Sequence, residues 1–285
     1  MRAGLALGLL LAACRGGGSP SEPAPAPFLP PAEVDAPGDE LTTDPLPWNP
    51  AFIARHHVTG VIILSRLGDA ELEDSLRFDP AGHLVERHLK SGRDSVGDWG
   101  LQWNEGRLEQ LTETLPGGST SRTTYRYDQA GRPVEIAHPD AVEKLIEVRE
   151  YDAGRRLKAR RFTRDGKPMG EERIERDERG RMAAAIRQNP EGDKLEERRT
   201  YQGDRLVGIR WSQRGVQKVW RLSYDPAGRI TRIEVEQDSE PSGAESYDYD
   251  ERGFPRARSR TSAAPDAPAT TVEFRVTADQ PRETP

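Results

Sequence analysis

From about Val58 to Val276 the chain alternates between apolar and polar positions. In Ile230-Thr231-Arg232-Ile233-Glu234-Val235-Glu236, Ile233 and Val235 share one face of an extended strand, and Arg232, Glu234 and Glu236 share the other. A period of two with one charged face predicts strands that bury one side and wet the other, as antiparallel sheets do. The charged faces carry both signs, which predicts cross-strand ion pairs worth a few tenths of a kcal/mol each. They also argue against a membrane-spanning barrel, which needs an apolar band facing lipid.

The strands are separated by a recurring landmark: an aromatic, Asp, a short gap, Gly, a basic residue, an aliphatic. Tyr224-Asp225-Pro226-Ala227-Gly228-Arg229-Ile230 is the cleanest copy. Others begin at Phe78-Asp79 with Gly82, Tyr127-Asp128 with Gly131, and Tyr249-Asp250 with Gly253. Tyr151-Asp152 with Gly154 reads as one residue shorter. Degenerate copies start at Trp103, Arg176 and Tyr201, so the second positions fall at 79, 104, 128, 152, 177, 202, 225 and 250. A type I turn favours Asp first, Pro second and Gly fourth, so each landmark predicts a hairpin tip. Between landmarks lies a second turn signal: Ser91-Gly92, Pro116-Gly117-Gly118, Pro139-Asp140, Asp165-Gly166, Asn189 to Gly192, Arg214-Gly215 and Pro241-Ser242-Gly243. Each period of about 24 residues is therefore a β-hairpin unit with strands of about seven residues.

Eight periods give about sixteen strands, and Val58 to Leu67 and Thr271 to Val276 add one at each end. The expected fold is an all-β antiparallel meander, curved or partly rolled, because a flat sheet of that size opposes its own twist. The landmarks resemble the YD repeats of bacterial Rhs proteins and animal teneurins, over residues 70 to 260. The resemblance implies successive hairpins in one spiralling sheet. In that family, large members enclose a C-terminal toxin or act in cell-surface adhesion, and some members bind carbohydrate. Eight repeats are too few for a large cocoon, and no toxin domain follows Gly253, so only the sheet architecture carries over.

The first residues have a different character. Arg2 precedes the apolar run Leu5 to Leu11, which is too short for a permanent membrane helix, and Leu11-Ala12-Ala13-Cys14 follows. This segment resembles a bacterial lipoprotein leader, residues 1–13, with Cys14 as the lipidated residue. In that family Arg15, rather than Asp, implies the outer membrane, so a lipid anchor in the cell envelope is expected. Cys14 is the sole cysteine, which leaves no internal disulfide and no thiol chemistry. Residues 14–50 are rich in Pro and Gly and read as an extended spacer, up to roughly 100 Å long. Residues 51–277 make the β domain, and 278–285 a tail.

Candidate chemistry is sparse. The charge is −6, from 42 basic and 48 acidic residues finely interspersed, which speaks against nucleic acid. His56 and His57 would point to opposite faces of a strand, and His83, His88 and His138 lack a second ligand in sequence. Asp248, Asp250 and Glu251 lack calcium-loop spacing. There is no nucleophile elbow and no phosphate loop. No metal, cofactor or catalytic residue is expected. Trp103, Trp211, Trp220 and Tyr127 are the candidate binding residues, since aromatic faces stack on sugars and are enriched at interfaces. The resulting expectation is a non-enzymatic envelope lipoprotein with a structural or binding role toward a glycan or envelope protein. The alternatives are a component or protective partner of a contact-dependent toxin system, and an enzyme or lipid carrier working in a curled-sheet cavity.

Overall fold

The structure, a computed structural model, describes residues 48–67, 70–140, 143–263 and 270–279. The leader, Cys14, the spacer up to residue 47 and the tail from residue 280 lie outside the described residues. A short helix, α1 (Pro50–Arg55), is followed by β1 (Val58–Leu67), which precedes the first repeat. The repeats supply β2 (Ala70–Phe78), β3 (Leu84–Ser91), β4 (Asp94–Asn104), β5 (Arg107–Thr114), β6 (Thr120–Tyr127), β7 (Pro133–His138), β8 (Leu145–Tyr151) and β9 (Leu157–Arg164). They continue through β10 (Lys167–Arg176), β11 (Met182–Gln188), β12 (Lys194–Gln202), β13 (Arg205–Gln213), β14 (Val216–Tyr224), β15 (Ile230–Gln237), β16 (Glu240–Tyr249) and β17 (Pro255–Ser262). The last strand, β18 (Thr270–Ala278), follows the repeats.

Every strand pairs antiparallel with the next, and β1 also pairs with β18, with Val58 opposite Ala278 and Arg66 opposite Thr271. The sheet is therefore a closed eighteen-stranded up-and-down barrel, not a partly rolled one. The two strands outside the repeats form the seam, and no edge is left unpaired. Local bends contribute to the closure. All eight landmark hairpins carry a β-bulge at the landmark position, from Arg77/Phe78 through Asp248/Tyr249. A bulge bends its strand and increases twist, so eight of them at one level curl the sheet toward itself.

The barrel has two rims. The eight landmark turns, α1, and both ends of the described chain lie at one, the entry rim; the intervening turns form the far rim. One of those far turns sits earlier than expected: it is Asp238-Ser239, both at positive φ, while Pro241 to Gly243 belong to β16 beside a bulge.

The sheet domain also reaches further back than residue 51. Asn49 caps α1, accepting from the Ala51 amide at 3.0 Å, and Pro50 occupies the first helical turn. Helix α1 buries Phe52 and Ile53 at the entry rim, and Phe52 meets Phe254 edge-on at 5.0 Å. Trp48 packs between Phe78 and Phe274. The approach is close enough that a Cβ on Gly82 would lie 2.0 Å from the Pro50 carbonyl oxygen.

The inner face holds three apolar clusters. The largest joins α1, β1 and β2 to β13–β16 and β18; a second spans β3–β7; the smallest, Leu157, Ile174, Met182 and Ala185, lies on β9–β11. The outer wall carries the cross-strand pairs the alternation predicts, such as Arg77 with Glu86, Arg126 with Glu135 and Arg221 with Glu236. These are exposed and contribute little to stability.

Candidate functional site

At the entry rim the repeat code becomes geometry. In the turn at Asp128, the Arg132 carbonyl accepts from the Asp128 amide at 2.9 Å, and the Asp128 carbonyl accepts from the Gly131 amide at 3.0 Å. One Asp128 carboxylate oxygen accepts from the amides of Ala130 and Arg132, and the other from the Arg132 guanidinium at 2.7 Å. Asp177 with Arg181 and Asp225 with Arg229 repeat the arrangement. The Arg132 and Arg181 guanidiniums, with the turn amides, hold the Asp128 and Asp177 carboxyls below their ordinary value.

The landmark aromatic links each repeat to the one before it. The hydroxyls of Tyr127, Tyr151, Tyr201, Tyr224 and Tyr249 donate to the carbonyls of Leu108, Pro133, Met182, Leu206 and Ile230, at 2.7–2.9 Å. Trp103 Nε1 donates to Leu84 in the same way, and Arg176 Nη2 to Leu157. Above the rings sit basic residues of the preceding turn: Arg132 over Tyr151, Arg181 over Tyr201, Arg229 over Tyr249, and His83 stacked on Trp103. Burial pushes the Tyr127 and Tyr224 hydroxyls up to about 12, so they stay protonated and donate. Asp, Gly, Arg and Tyr of the motif are thus all accounted for by turn and inter-repeat bonding.

One copy departs from the expected reading. The Asp152 amide donates to the Arg156 carbonyl, the same frame as at Asp128, so this turn is not shorter. Gly154 is not its bending residue: Arg155 takes the glycine's position, at φ 65°.

Inside the barrel a charged belt appears that the landmarks did not reveal. Four residues before each landmark aromatic, on the same strand face, stand Asp74, Trp99, Thr123, Glu147, Glu172, Glu197, Trp220 and Glu245. Five of the eight are acids, and arginines answer them. Arg87 Nη2 lies 2.8 Å from Asp74, Arg149 Nε 2.6 Å from Glu147, and Arg199 Nε 2.7 Å from Glu197. Glu172, fully buried, stands between Arg160 at 3.5 Å and Arg187 at 3.4 Å. Burial raises its pKa, against the pull of the two guanidiniums. Arg149 and Arg160 are directly opposite across β8 and β9, a repulsive placement relieved by Glu147, which both approach. Step-two counting back from each aromatic would have found these acids.

The other candidates are accounted for by structural neighbours. His83 pairs with Asp79, His88 with Asp98, and His138 with Thr123 at 2.9 Å. Asp250 accepts from the amides of Arg252 and Phe254. Among the described residues no group of three or more His, Cys, Asp or Glu is placed to hold a metal. The four candidate binding aromatics are not gathered on an outer surface. Trp220 is buried, Trp103 and Tyr127 donate to strand carbonyls, and Trp211 lies inward, partly buried beneath Lys218. The exposed large apolar side chains among the described residues are Leu72, Leu115 and Met169, all toward the far rim.

Residues 103–143, spanning the second and third landmarks, match the RHS repeat family. The chain thus carries RHS-type repeats. No curated protein matches it. Among solved structures it is similar to a porin-like protein from Bacteroides uniformis, with 11% identity over 77% of this chain and 98% of that one, at a TM-score of 0.45. A porin-like protein from Bacteroides vulgatus is similar at 10% identity and a TM-score of 0.31, over 78% of this chain and 98% of that one. TcdB2-TccC3 without its hypervariable C-terminal region is similar at 11% identity and a TM-score of 0.34, over 70% of this chain but 14% of that one. All three likenesses are distant and carry no inference about function.

Proposed function

We propose that this chain is a non-enzymatic lipoprotein of the cell envelope, a small closed barrel that follows a Pro- and Gly-rich spacer, whose far rim meets a glycan or an envelope protein. The observation that carries the reading is the position of the chain ends. Val58 opens β1 directly opposite Ala278, which closes β18, so both ends leave from the entry rim. A spacer attached through residues 14–50 therefore approaches that rim and leaves the other outermost. Leu72, Leu115 and Met169 stand toward that outer rim, while the outer wall is covered by ion pairs. Exposed apolar side chains among polar turns are what a partner-binding rim offers. The buried carboxylates lie against arginines of their own or the adjacent strand, an arrangement suited to bracing the sheet rather than to moving protons.

The test is capture from host envelope extract by the mature chain, paired with a glycan array. A specific partner should be retained, lost when Leu115 and Met169 are both changed to Asp, and unaffected by Arg126→Ala on the outer wall. Hydrolysis of envelope glycans or peptides by the purified protein would overturn the reading. So would a partner indifferent to the far-rim changes.

A further inference from the structure

Two neighbouring entry-rim turns depart from the repeat by placing arginine where it uses another residue. Between β8 and β9, Arg155 stands where the repeat uses glycine, in a left-handed conformation that a side chain disfavours. Between β10 and β11, Arg176 stands where the repeat uses an aromatic. Each departure adds a cation. Counted from the landmark aromatic to the closing residue, the turns at 78–83 and 249–254 are net negative, with His neutral. Those at 103–107, 127–132, 201–205 and 224–229 are neutral, and only 151–156 and 176–181 are net positive.

The arginines also converge. A Cβ on Gly180 would fall 1.9 Å from Arg156 Nη1, and Arg176 Nη1 donates to the Gly180 carbonyl at 3.2 Å, so two guanidiniums meet over one glycine. Arg155, Arg156 and Arg179 are exposed around them, with Arg181 partly buried. Arg156, Arg179 and Arg181 pair with Asp152, Asp204 and Asp177, but the fold requires an arginine at neither 155 nor 176. Tyrosine makes the bond of Arg176 in five other copies, and glycine would relieve the backbone at Arg155.

We propose that this patch of the entry rim docks the barrel on anionic lipid headgroups. The choice of a lipid surface rests on the lipoprotein reading above, because a spacer entering at this rim makes it the rim on the side of the anchor. Guanidinium is the side chain best matched to phosphate oxygens. Each arginine close to an anionic surface raises partitioning about fivefold. An excess of two is weak alone and becomes effective when a tether supplies the local concentration.

The experiment is co-sedimentation of the chain from residue 14, carrying Cys14→Ser so that no lipid is attached, with vesicles. Phosphatidylcholine vesicles containing phosphatidylglycerol should bind it, and phosphatidylcholine alone should not. Binding should fall as salt rises from low to physiological strength. Arg155→Gly with Arg176→Tyr, which restores both repeat residues, should lower binding about 25-fold with the melting temperature unchanged or higher. Arg214→Gly, which relieves a similar positive φ at the far rim, should leave binding as it was. Equal binding by the restored variant, or equal binding to neutral vesicles, would overturn the proposal. The lipoprotein reading fails separately, if mass spectrometry of the host-made protein shows no acyl group on Cys14.

Discussion

The inner face of β13–β15 with β18 and β1, and that of β8–β12, solve the same problem in opposite ways. The first is filled with Leu206, Ile209, Trp220, Leu222, Val272 and Phe274 and sealed by α1 through Phe52 and Phe254. The second has only a small apolar cluster that includes Ala185, beside Arg149, Arg160, Glu172, Glu197 and Arg199. Both carry the same turns, bulges and inter-repeat bonds at the entry rim. The rim therefore specifies the fold, and the lining tolerates either oil or paired ions. The two linings differ in how they fail. A missing apolar group leaves a cavity, and a missing ion leaves its partners charged and buried.

The strongest way to break the comparison is one large deletion in each half. Phe254→Ala in the apolar half and Arg160→Ala in the charged half should each cost about 3–5 kcal/mol in denaturant unfolding. Their pH dependence should differ. Arg160 is one of the two cations beside Glu172, whose folded pKa already lies above its ordinary 4.5. A carboxyl raised on folding favours the folded state below its unfolded value and opposes it as pH climbs through the raised one. The Arg160→Ala loss should accordingly be greatest at high pH and shrink as pH falls toward 4.5, while the Phe254→Ala loss stays level. Parallel pH profiles would mean that the charged half does not differ in kind.

Smaller changes probe the shared rim. Arg155→Gly should stabilise by about 1–2 kcal/mol, by removing a side chain from a left-handed backbone. A melting temperature no higher than the parent's would refute the shared turn frame at Asp152. Tyr201→Phe should cost about 0.5–1.5 kcal/mol, through loss of the bond to the Met182 carbonyl. Phe at 224 should behave alike, since both halves use the same bond. In acid, the turns at Asp128 and Asp177 should loosen as pH falls through their lowered pKa values, opposite in sign to Glu172. Exchange rates of the Arg132 and Arg181 amides would report it.

Much of this was legible in the sequence, because a turn is a local object. Asp225-Pro226-Ala227-Gly228 names its own conformation, and six turns of that frame with two shorter ones set the strands between them. Closure was not legible. It depends on twist summed over the whole ring and on Val58 finding Ala278 across the full length of the sheet. The frame at Tyr151 misled because Gly154 sits one place early and an arginine took the strained position. Helix α1 had a local signal, Asn49 then Pro50, but its six residues carry too little periodicity to stand out. The charged belt was hidden because alternation says which residues share a face without saying which face is inside. Glu172 and Glu197 looked like solvated positions until the ring closed around them. The same ambiguity hid the inward turn of Trp220 and Trp211.

The seam has a mechanical meaning. Tension on the N-terminus passes through Trp48 and α1 to β1, and β1 is bonded along its length to β18 on one side and β2 on the other. A pull from the entry rim runs along that strand, so both ladders bear it in shear at once instead of peeling open bond by bond. Force spectroscopy between the N-terminus and a handle at the far-rim turn after Leu115 should therefore register one high rupture peak, with no staircase of single repeats. A double ladder of this kind lets the barrel keep its shape when pulled along β1.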